Sequence, residues 1–446
     1  MLTIADASDR IRSRQLSSVD LTRACLERIH RLNPALNAFI TVTADLALQQ
    51  AGAADAEIVT GRWRGPLHGI PIALKDLIDV AGIRTTAASN QYRNRVAQED
   101  ATIVAQLKQA GAVIVGKTNL HEFAFGGSGM VSAYGPARNP WDTTRITGGS
   151  SSGSAAAVAA GMCVAAIGTD TAGSIRTPAS LCGIVGHRPS AGVWSAEGVI
   201  PLRQSFDTAG PMTRTVEDAQ LLLQTLCDRP LRQIAPVEGI RIGIAREGFF
   251  DNLDADVAVN MQHVLDVLAS LLGPVRDVNV KADVRWSSFD REILDYHRPM
   301  IAASPQLYEP ATLARIKACA EIPPEEYEAA KAGLTAARRD AEKVFEDVDV
   351  VVTPTCVADA PGISELQAMP APELRSYEVN YLLRNTAPFS LLFWPSLSVP
   401  CGFTSGGLPV GLQISARPGA DVLALHVARA YEQATAWHKR VPPIAL

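Results

Sequence analysis

Apolar positions along the chain follow two different spacings, and each spacing predicts a different element. Residues 17–32 place an apolar side chain at every third or fourth position, which predicts a helix that ends at Asn33-Pro34. An alanine-rich helical pattern continues to about residue 60, so we expect residues 1–60 to form an N-terminal helical layer. Residues 69–74 are instead a short apolar run ending at Lys75, which is typical of a buried strand.

Strand-like and helix-like patterns then alternate to the end of the chain. Further strands are predicted at 112–115, 163–167, 240–244, 348–352, 395–400 and 412–415, and helices at 101–110, 154–161, 257–272, 327–344 and 420–437. This alternation predicts an α/β fold with a large mixed, mostly parallel sheet covered by helices on both faces. Because no repeat or linker-like stretch interrupts it, we expect a single domain over 1–446, with a helical insertion or lid at 280–345.

Composition and charge narrow the classes of function. Of the 446 residues, 47% are hydrophobic and the net charge is −5, so a large core is expected and neither nucleic acid nor an anionic membrane surface is an expected partner. No apolar run approaches the ~18 residues of a membrane span, and the N-terminal residues do not resemble a secretory signal. Seven widely spaced cysteines without a CxxC pair predict free thiols, a cytoplasmic location and no metal site.

Two segments rich in glycine and serine carry the candidate chemistry. Residues 148–154 read GGSSSGS, which alone suits a structural loop or a phosphate cradle, although the Walker A lysine and the dinucleotide spacing are missing. Residues 168–174 end a predicted strand, and small residues around Ser174 permit consecutive N–H groups to point at one spot, as an oxyanion hole requires. A serine nucleophile needs a base, and no histidine lies near either segment, so a buried Lys75 is the candidate.

Taken together, these segments resemble the amidase signature family. The matching blocks are 69–76 (GIPIALKD), 119–124 (NLHEFA), 135–142 (GPARNPWD), 148–151 (GGSS), 168–176 (GTDTAGSIR), 210–214 (GPMTR) and 409–414 (PVGLQI). They span nearly the whole chain, and the resemblance is weakest from about 250 to 345. It implies the amidase-signature fold with its core at 61–220. It also implies an amidohydrolase that cleaves a carboxylic amide through an acyl-enzyme, without metal or organic cofactor.

The resemblance assigns a Ser–cisSer–Lys triad to three residues of this sequence. Ser174 matches the nucleophile, Ser150 the relay serine after a cis peptide bond, and Lys75 the general base. Ser151 competes with Ser150 for the relay role. The family places the relay 24 positions before the nucleophile, which selects Ser150 and leaves Ser151 to support the network by hydrogen bonding.

The residues around the nucleophile are expected to assist it. The resemblance implies that backbone N–H groups of Thr171, Ala172, Gly173 and Ser174 hold the oxyanion, with Ala172 standing where glycine is commoner. Asp170 and Arg176 flank this loop and are expected to shape it through a salt bridge. Two other candidate bases, Lys117 and His187, are interpreted as structural because the lysine triad already supplies the proton chemistry. The supporting residues on this interpretation are Ser151, Asp170 and Arg176.

The sequence does not identify which small-molecule amide is the substrate. The candidate substrate-binding residues are Phe125, Met130 and Arg315, the last because it resembles an arginine that holds a substrate carboxylate. The family also includes the A-type component of glutamine-dependent tRNA amidotransferases, which needs a small partner protein and usually has an acidic residue near 382–385. Because this chain has LLRN there, a free-standing amidase ranks first. An A-type amidotransferase component, or a hydrolase with a small helper subunit, ranks second.

Three further alternatives stay open at this point. The same acyl-enzyme chemistry would serve an esterase. A non-catalytic scaffold or binding protein could retain the fold, although all three triad positions are intact. No pattern in the sequence indicates the oligomeric state, so a homodimer is also open.

Overall fold

The computed structural model describes residues 1–227, 239–281 and 284–446, and within these ranges eleven strands form one sheet. The strands are β1 Phe39–Val42, β2 Pro71–Lys75, β3 Val113–Thr118, β4 Ala165–Asp170, β5 Val185–Arg188, β6 Thr208–Thr213, β7 Ile242–Ala245, β8 Arg276–Val278, β9 Val350–Pro354, β10 Ser396–Phe403 and β11 Pro409–Ala416. Their order across the sheet is β1-β3-β2-β4-β6-β5-β10-β11-β9-β7-β8. Lys75 therefore ends β2, the segment that carries Ser174 follows the neighbouring strand β4, and Ser150 lies just before α5.

Fifteen α-helices in the same ranges pack around the sheet. They are α1 Ile4–Arg12, α2 Ser18–Leu36, α3 Ala44–Val59, α4 Thr102–Gln109, α5 Ser152–Ala159, α6 Arg176–Cys182, α7 Val216–Thr225, α8 Ala255–Leu272, α9 Arg291–Ala303, α10 Pro310–Ala318, α11 Pro324–Glu342, α12 Ile363–Ala368, α13 Ala371–Tyr377, α14 Ala387–Leu391 and α15 Asp421–Ala434. A π-helical turn, Glu378–Leu382, follows α13 directly. None of the helices described is long and apolar enough to cross a membrane.

Alternate residues of the central strands supply two separate apolar cores. On β2, Ile72 and Leu74 belong to one buried cluster while Ala73 belongs to another. Ala166 of β4 and Val115 of β3 join Ala73. Because side chains of a strand point alternately to opposite faces, both faces of the sheet are apolar and must be covered. The expected α/β fold with helices on both faces follows from this pattern.

The expectation of a mostly parallel sheet is wrong, although the sheet is mixed as predicted. Six of the ten strand pairings described are antiparallel and four are parallel. The parallel pairs involve β3-β2-β4 and β9-β7-β8, and between them lies an antiparallel centre. The sequence pattern assumed a crossover helix after each strand. Loops and the β10–β11 hairpin instead connect several central strands, and such connections permit antiparallel pairing.

Two local predictions near the N-terminus also need correction. Helix α2 begins after Ser17, whose side chain caps it by accepting from the Asp20 N–H at 2.9 Å, but it runs through Pro34 to Leu36. Proline is tolerated there because it removes a single hydrogen bond in the last turns. The burial of Leu36 stabilises the continuation of the helix beyond Pro34. The N-terminal layer is also not purely helical, because β1 joins the sheet edge antiparallel to β3.

The segment 280–345 is helical where the structure describes it, and residues 282–283 of the prediction lie outside the described residues. It contains α9, α10 and α11 with short 3-10 turns between them. The turn Trp286–Asp290 and helix α10 bring Trp286, Asp290 and Arg315 to the wall of a cavity beside Ser174. Its role as a lid stays a prediction.

Candidate active site

Lys75 is the last residue of β2 and is completely buried. Its ammonium nitrogen Nζ lies 2.7 Å from the hydroxyl oxygen of Ser150 and 2.8 Å from that of Thr169. Burial lowers the pKa of Lys75 from 10.5 to about 7, against the opposing effect of Asp207 and Asp170. A large fraction of the lysine is therefore neutral near pH 7, as a general base requires.

Ser150 and Ser174 belong to two segments that are connected by a hydrogen bond between their backbones. The Gly149–Ser150 peptide bond is cis, as the resemblance implies. The N–H of Ser151 donates to the carbonyl oxygen of Ser174 at 3.1 Å. The Ser151 hydroxyl bridges to β4, since it lies 3.2 Å from the carbonyl oxygen and 3.3 Å from the N–H of Thr169. The structure thus brings Lys75 and Ser150 into contact and sets the Ser174 backbone against the residue that follows Ser150.

The loop that carries Ser174 is held by a buried charge cluster. Asp170 accepts from Arg176 through Nε at 3.0 Å and Nη2 at 2.9 Å, so the expected salt bridge is present. Arg188 on β5 also donates to the Asp170 carbonyl oxygen, and its Nη1 lies 3.5 Å from the Asp170 carboxylate. Burial alone would raise the pKa of Asp170, but the two guanidiniums hold it well below its usual range.

One of the four amides expected in the oxyanion hole already has a partner. The N–H of Gly173 donates to the Asp170 carboxylate at 2.8 Å, so the amides of Thr171, Ala172 and Ser174 remain the candidates. Gly173 has a φ of +136°, and a Cβ there would overlap the Thr386 side chain. The close approach of Thr386, whose hydroxyl donates to the Ala172 carbonyl oxygen at 2.7 Å, therefore requires glycine.

Sequence reasoning missed two residues that contribute to this geometry. Thr169 gives Lys75 its second hydrogen-bond partner, and only its place next to the flagged Asp170 could have suggested it. Asp207 accepts from the Thr171 hydroxyl at 2.5 Å and from the N–H groups of Leu202 at 2.8 Å and Arg203 at 3.1 Å. It therefore ties the oxyanion loop to the segment 202–203, and nothing in the sequence near Asp207 indicates this.

A cavity of about 360 Å³ opens beside Ser174. Its wall includes the expected Phe125 and Arg315 together with residues that sequence reasoning did not select, namely Leu202, Arg203, Arg285, Trp286, Asp290, Arg375, Glu378, Val379 and Leu383. Volumes of this size are typical of sites for small molecules. Among the cavities found in the described part of the chain, it alone has Ser174 itself in its wall.

Arg315 and Glu378 form a buried ion pair in the cavity wall. Their closest atoms, Nη1 and Oε2, are 2.7 Å apart, and Arg315 also donates to the Phe125 carbonyl oxygen at 2.8 Å. Burial alone would raise the pKa of Glu378, but Arg315 and His121 lower it. Both the N–H and the hydroxyl of Ser128 donate to the Glu378 carboxylate. An acidic group therefore lies next to the cavity although residues 382–385 contain none.

Three other flagged residues lie elsewhere. Met130 packs in an apolar cluster with Ile146 and Leu181 and is not part of the wall of the Ser174 cavity, so its selection as a substrate contact is not supported. Apolar side chains of core and pocket cannot be told apart by sequence. Lys117 pairs with Asp76 at 3.1 Å, both fully buried. His187 lies 3.5 Å from Asp421, also buried. Both contacts agree with a structural interpretation.

Comparison with known proteins identifies the class to which this fold and site belong. The family model described as Amidase matches residues 20–425. This chain belongs to the amidase family, and the matched range includes the segments that hold Lys75, Ser150 and Ser174. It is thus a member of a family of amide-cleaving enzymes.

Particular relatives differ in the activity that their names state. The chain is 38% identical to the A-type component of the glutamyl-tRNA(Gln) amidotransferase of Geobacter metallireducens, over 98% of both chains, and 36% identical to that of Gloeobacter violaceus, over 100% and 99%. Among solved structures, an amidase superposes with a TM-score of 0.89 at 31% identity, covering 97% of this chain and 99% of the other. The peptide amidase of Stenotrophomonas maltophilia gives 0.84 at 31%, covering 99% and 98%.

Proposed function

We propose that this chain cleaves a carboxylic amide by transferring its acyl group to Ser174. The observation that carries the proposal is the 2.7 Å contact between a buried Lys75, with a pKa near 7, and Ser150, in a segment hydrogen-bonded to the Ser174 backbone. Neutral Lys75 takes the hydroxyl proton of Ser150 as Ser150 takes that of Ser174. The Ser174 oxygen attacks the amide carbonyl carbon and forms a tetrahedral oxyanion.

The second half of the reaction uses the same groups in reverse. Backbone amides of Thr171, Ala172 and Ser174 stabilise the oxyanion as it forms. Collapse of the tetrahedral intermediate breaks the C–N bond, and the relay returns a proton to the leaving nitrogen, which departs as ammonia or an amine. Water then attacks the acyl-enzyme and gives up a proton to the relay. The products are a carboxylic acid and free Ser174.

The curated relatives favour one particular form of this activity. Their names describe the A-type component of an amidotransferase, which supports a chain that works with partner proteins over the free-standing amidase placed first by the sequence. The objection that no acid stands at 382–385 loses weight, because Glu378 lies in the cavity wall beside Arg315. This oppositely charged pair is complementary to the ammonium and carboxylate groups of a free amino acid such as glutamine.

The free-standing amidase is the second candidate. It is supported by the solved amidase structures at 31% identity over nearly the full chain. It is also supported by the segment 382–385, which has no acidic residue and contributes the apolar Leu383 to the cavity wall. The chemistry on Ser174 is the same in both candidates. They differ in substrate and in the need for a partner.

Labelling with a fluorophosphonate, followed by intact-protein mass spectrometry, tests the common part. We expect one adduct on the wild type and none on Ser174→Ala. Ser287→Ala, which changes another serine of the cavity wall, is the matched control and should be labelled like the wild type. Labelling of Ser174→Ala to the same extent would contradict the assignment of the nucleophile.

Ammonia release then separates the two candidates. For an A-type component, glutamine hydrolysis should be weak in isolation and rise when the other components of a bacterial glutamyl-tRNA(Gln) amidotransferase are added. For a free-standing amidase, simple carboxamides should be cleaved without any partner, and the added proteins should change nothing. Either result requires Ser174, so Ser174→Ala serves as the blank in each reaction.

A further inference from the structure

A short turn, Glu122–Ala124, connects the candidate catalytic segment to helix α10. The residue before the turn, His121, donates its N–H to the carbonyl oxygen of Ser150 at 3.1 Å. The residue after it, Phe125, accepts through its carbonyl oxygen from the side chain of Arg315 on α10 at 2.8 Å. Residues 121–125 therefore reach from the relay serine to an arginine of the cavity wall.

The Glu122 carboxyl lies at the start of α10. It is fully buried, and its two oxygens accept from the N–H of Glu309, the residue just before the helix, at 3.3 and 3.1 Å. The hydroxyls of Ser89 and of Thr312, in the first turn of α10, also approach it. In a capping box the third residue of a helix reaches back to this N–H. Here Glu122, from a distant part of the chain, takes that role in place of Thr312.

Glu122 forms no ion pair within the part of the chain that the structure describes. The titratable groups that face it are Glu309, whose like charge opposes ionisation, and Tyr308, which is hydrogen-bonded at 2.8 Å to His297 of α9. Burial raises the pKa of Tyr308 and lowers that of His297 to about 3, so both stay neutral from pH 5 to 9. Burial also raises the pKa of Glu122 to about 7, so this carboxyl titrates in that range.

The same turn packs against α9 through an aromatic ring. The Phe123 ring meets that of His297 edge-on, with centres 4.5 Å apart, and the Tyr308 ring at 5.6 Å. Phe123 and Ala124 have φ values of +49° and +59°, which are unfavourable for residues with a Cβ and persist where the surroundings hold them. The contacts of Glu122, Phe123 and Phe125 together dock the helical segment 280–345 against residues 121–125.

We propose that Glu122 is a positioning residue, which docks α10 against residues 121–125 and thereby places Arg315, with its partner Glu378, in the wall of the Ser174 cavity. The proposal rests on the proposed amide cleavage and goes beyond it. It makes the shape of the substrate cavity depend on a residue that is not itself in the cavity wall.

Docking is linked to protons because it removes the carboxyl from water. The docked pKa of about 7 lies above the ordinary value of 4.5, so docking is strongest below pH 4.5 and weakens as the pH rises towards 7. These two values correspond to about a tenfold loss in the docking equilibrium between pH 6 and pH 8, and to little further change above that.

Hydrogen–deuterium exchange of the α10 peptide tests this linkage without any turnover. Exchange is expressed as a protection factor, so that the intrinsic dependence of exchange on pH is removed. Protection of Pro310–Ala318 should fall about tenfold from pH 6 to pH 8 in the wild type. Glu122→Gln keeps an oxygen acceptor but does not ionise, so its protection should stay constant. Glu342→Gln, which removes an exposed carboxylate of the same helical segment, is the control and should behave like the wild type. The same pH dependence in wild type and Glu122→Gln would overturn the proposal.

The hydrogen bond itself can be removed without changing Glu122. The φ of Glu309 is −60°, which proline adopts, and Tyr308 has the extended backbone that precedes proline, so Glu309→Pro should fold. Glu309→Ala keeps the N–H and is the matched control. At pH 8 we expect about tenfold lower protection of α10 in Glu309→Pro than in Glu309→Ala. Equal protection in the two variants would contradict the role of this hydrogen bond.

The effect on the cavity is measured as a difference between binding and reactivity. With the amide that the ammonia-release assay identifies, Glu122→Ala should raise KM and Glu122→Gln should restore it, because Arg315 is in the cavity wall. Labelling of Ser174 by phenylmethylsulfonyl fluoride should persist in both, because the hydrogen bonds of Lys75 go to Ser150 and Thr169. Lost labelling in Glu122→Ala with unchanged KM would contradict an action through the wall.

Failure of the docking role and failure of the proposed function give different results. If the wild type is labelled and cleaves an amide but α10 exchange does not respond to Glu122→Gln or Glu309→Pro, amide cleavage stands and the docking role is refuted. If Ser174 is not labelled and no amide releases ammonia, amide cleavage is refuted. The exchange of α10 would in that case still decide whether Glu122 docks the helix.

Discussion

The pKa of Lys75 leads to a prediction about pH that can be checked without knowing the substrate. If neutral Lys75 is the base, the rate at which a fluorophosphonate modifies Ser174 should fall on the acid side of about pH 7. The expected slope below that point is tenfold per pH unit, because one proton inactivates the site. Lys75→Met, which is similar in length but cannot titrate, should react slowly at every pH and show no such limb.

The structure gives the size of this effect. The difference between the ordinary pKa of 10.5 and a value of about 7 corresponds to about 5 kcal/mol in favour of the neutral amine. At pH 7 an ordinary lysine would be neutral in about one molecule in 3,000, whereas Lys75 is neutral in about half of the molecules. Burial of the amine thus raises the neutral fraction of Lys75 at pH 7 roughly a thousandfold.

Stability provides an independent measurement of the same quantity. The folded pKa of Lys75 lies below its unfolded value, so between about pH 7 and pH 10 the unfolded chain binds more protons and the contribution of this group to stability rises with pH. Below pH 7 the full cost of the buried amine is present. Urea unfolding of the wild type and of Lys75→Met should therefore differ most at pH 6 to 7, and the difference should shrink towards pH 10.

Two results would refute this reasoning. The first is a labelling rate that stays constant from pH 6 to 9, because a base with a pKa near 7 must titrate in that window. The second is a difference in unfolding free energy between wild type and Lys75→Met that does not change with pH. A limb centred above pH 9 would mean that burial does not lower the pKa of Lys75.

Three further substitutions test the surroundings of the site. Asp170→Asn leaves two buried guanidiniums without their carboxylate and should cost about 3 kcal/mol or more in urea unfolding; a loss below 1 kcal/mol would contradict the cluster. Thr169→Val removes an acceptor that stabilises protonated Lys75, so the acid limb of the labelling profile should move to lower pH, and a shift to higher pH would contradict this. Gly173→Ala should abolish labelling because its methyl group overlaps Thr386, whereas exposed Gly192→Ala, with open space around its Cβ, should be labelled normally.

The order of elements and the location of the chemistry could be read from the sequence because both depend on local patterns. Lys75 ends an apolar run, and Ser174 follows a strand in a segment of small residues, so their elements and neighbours were predictable within a few positions. The direction of the central strands could not be predicted, because strand pairing depends on how the connections cross the sheet. The length of the helix through Pro34 depended on burial of Leu36, which is a tertiary effect.

The wall of the cavity was largely beyond prediction for a related reason. Arg203 and Arg375 are more than 170 positions apart, and they meet only because both lie beside Asp290. Glu378 reaches the cavity from a π-helical turn just before the segment in which an acid was expected. Met130 shows the opposite case, since this apolar side chain near the motifs packs in a buried cluster and is not in the wall of the Ser174 cavity.

The Asp207 carboxylate has a consequence for how the substrate range of this chain could change. Asp207 accepts a hydrogen bond from the backbone N–H of residue 203, so this bond does not depend on the side chain at that position. Replacing the side chain therefore need not disturb the hydrogen bond to Thr171, and the reacting serine keeps its surroundings. Substitutions of the side chain at position 203 should therefore change the cavity wall and leave the labelling of Ser174 intact, whereas substitutions at position 207 should alter the wall and the reacting loop together.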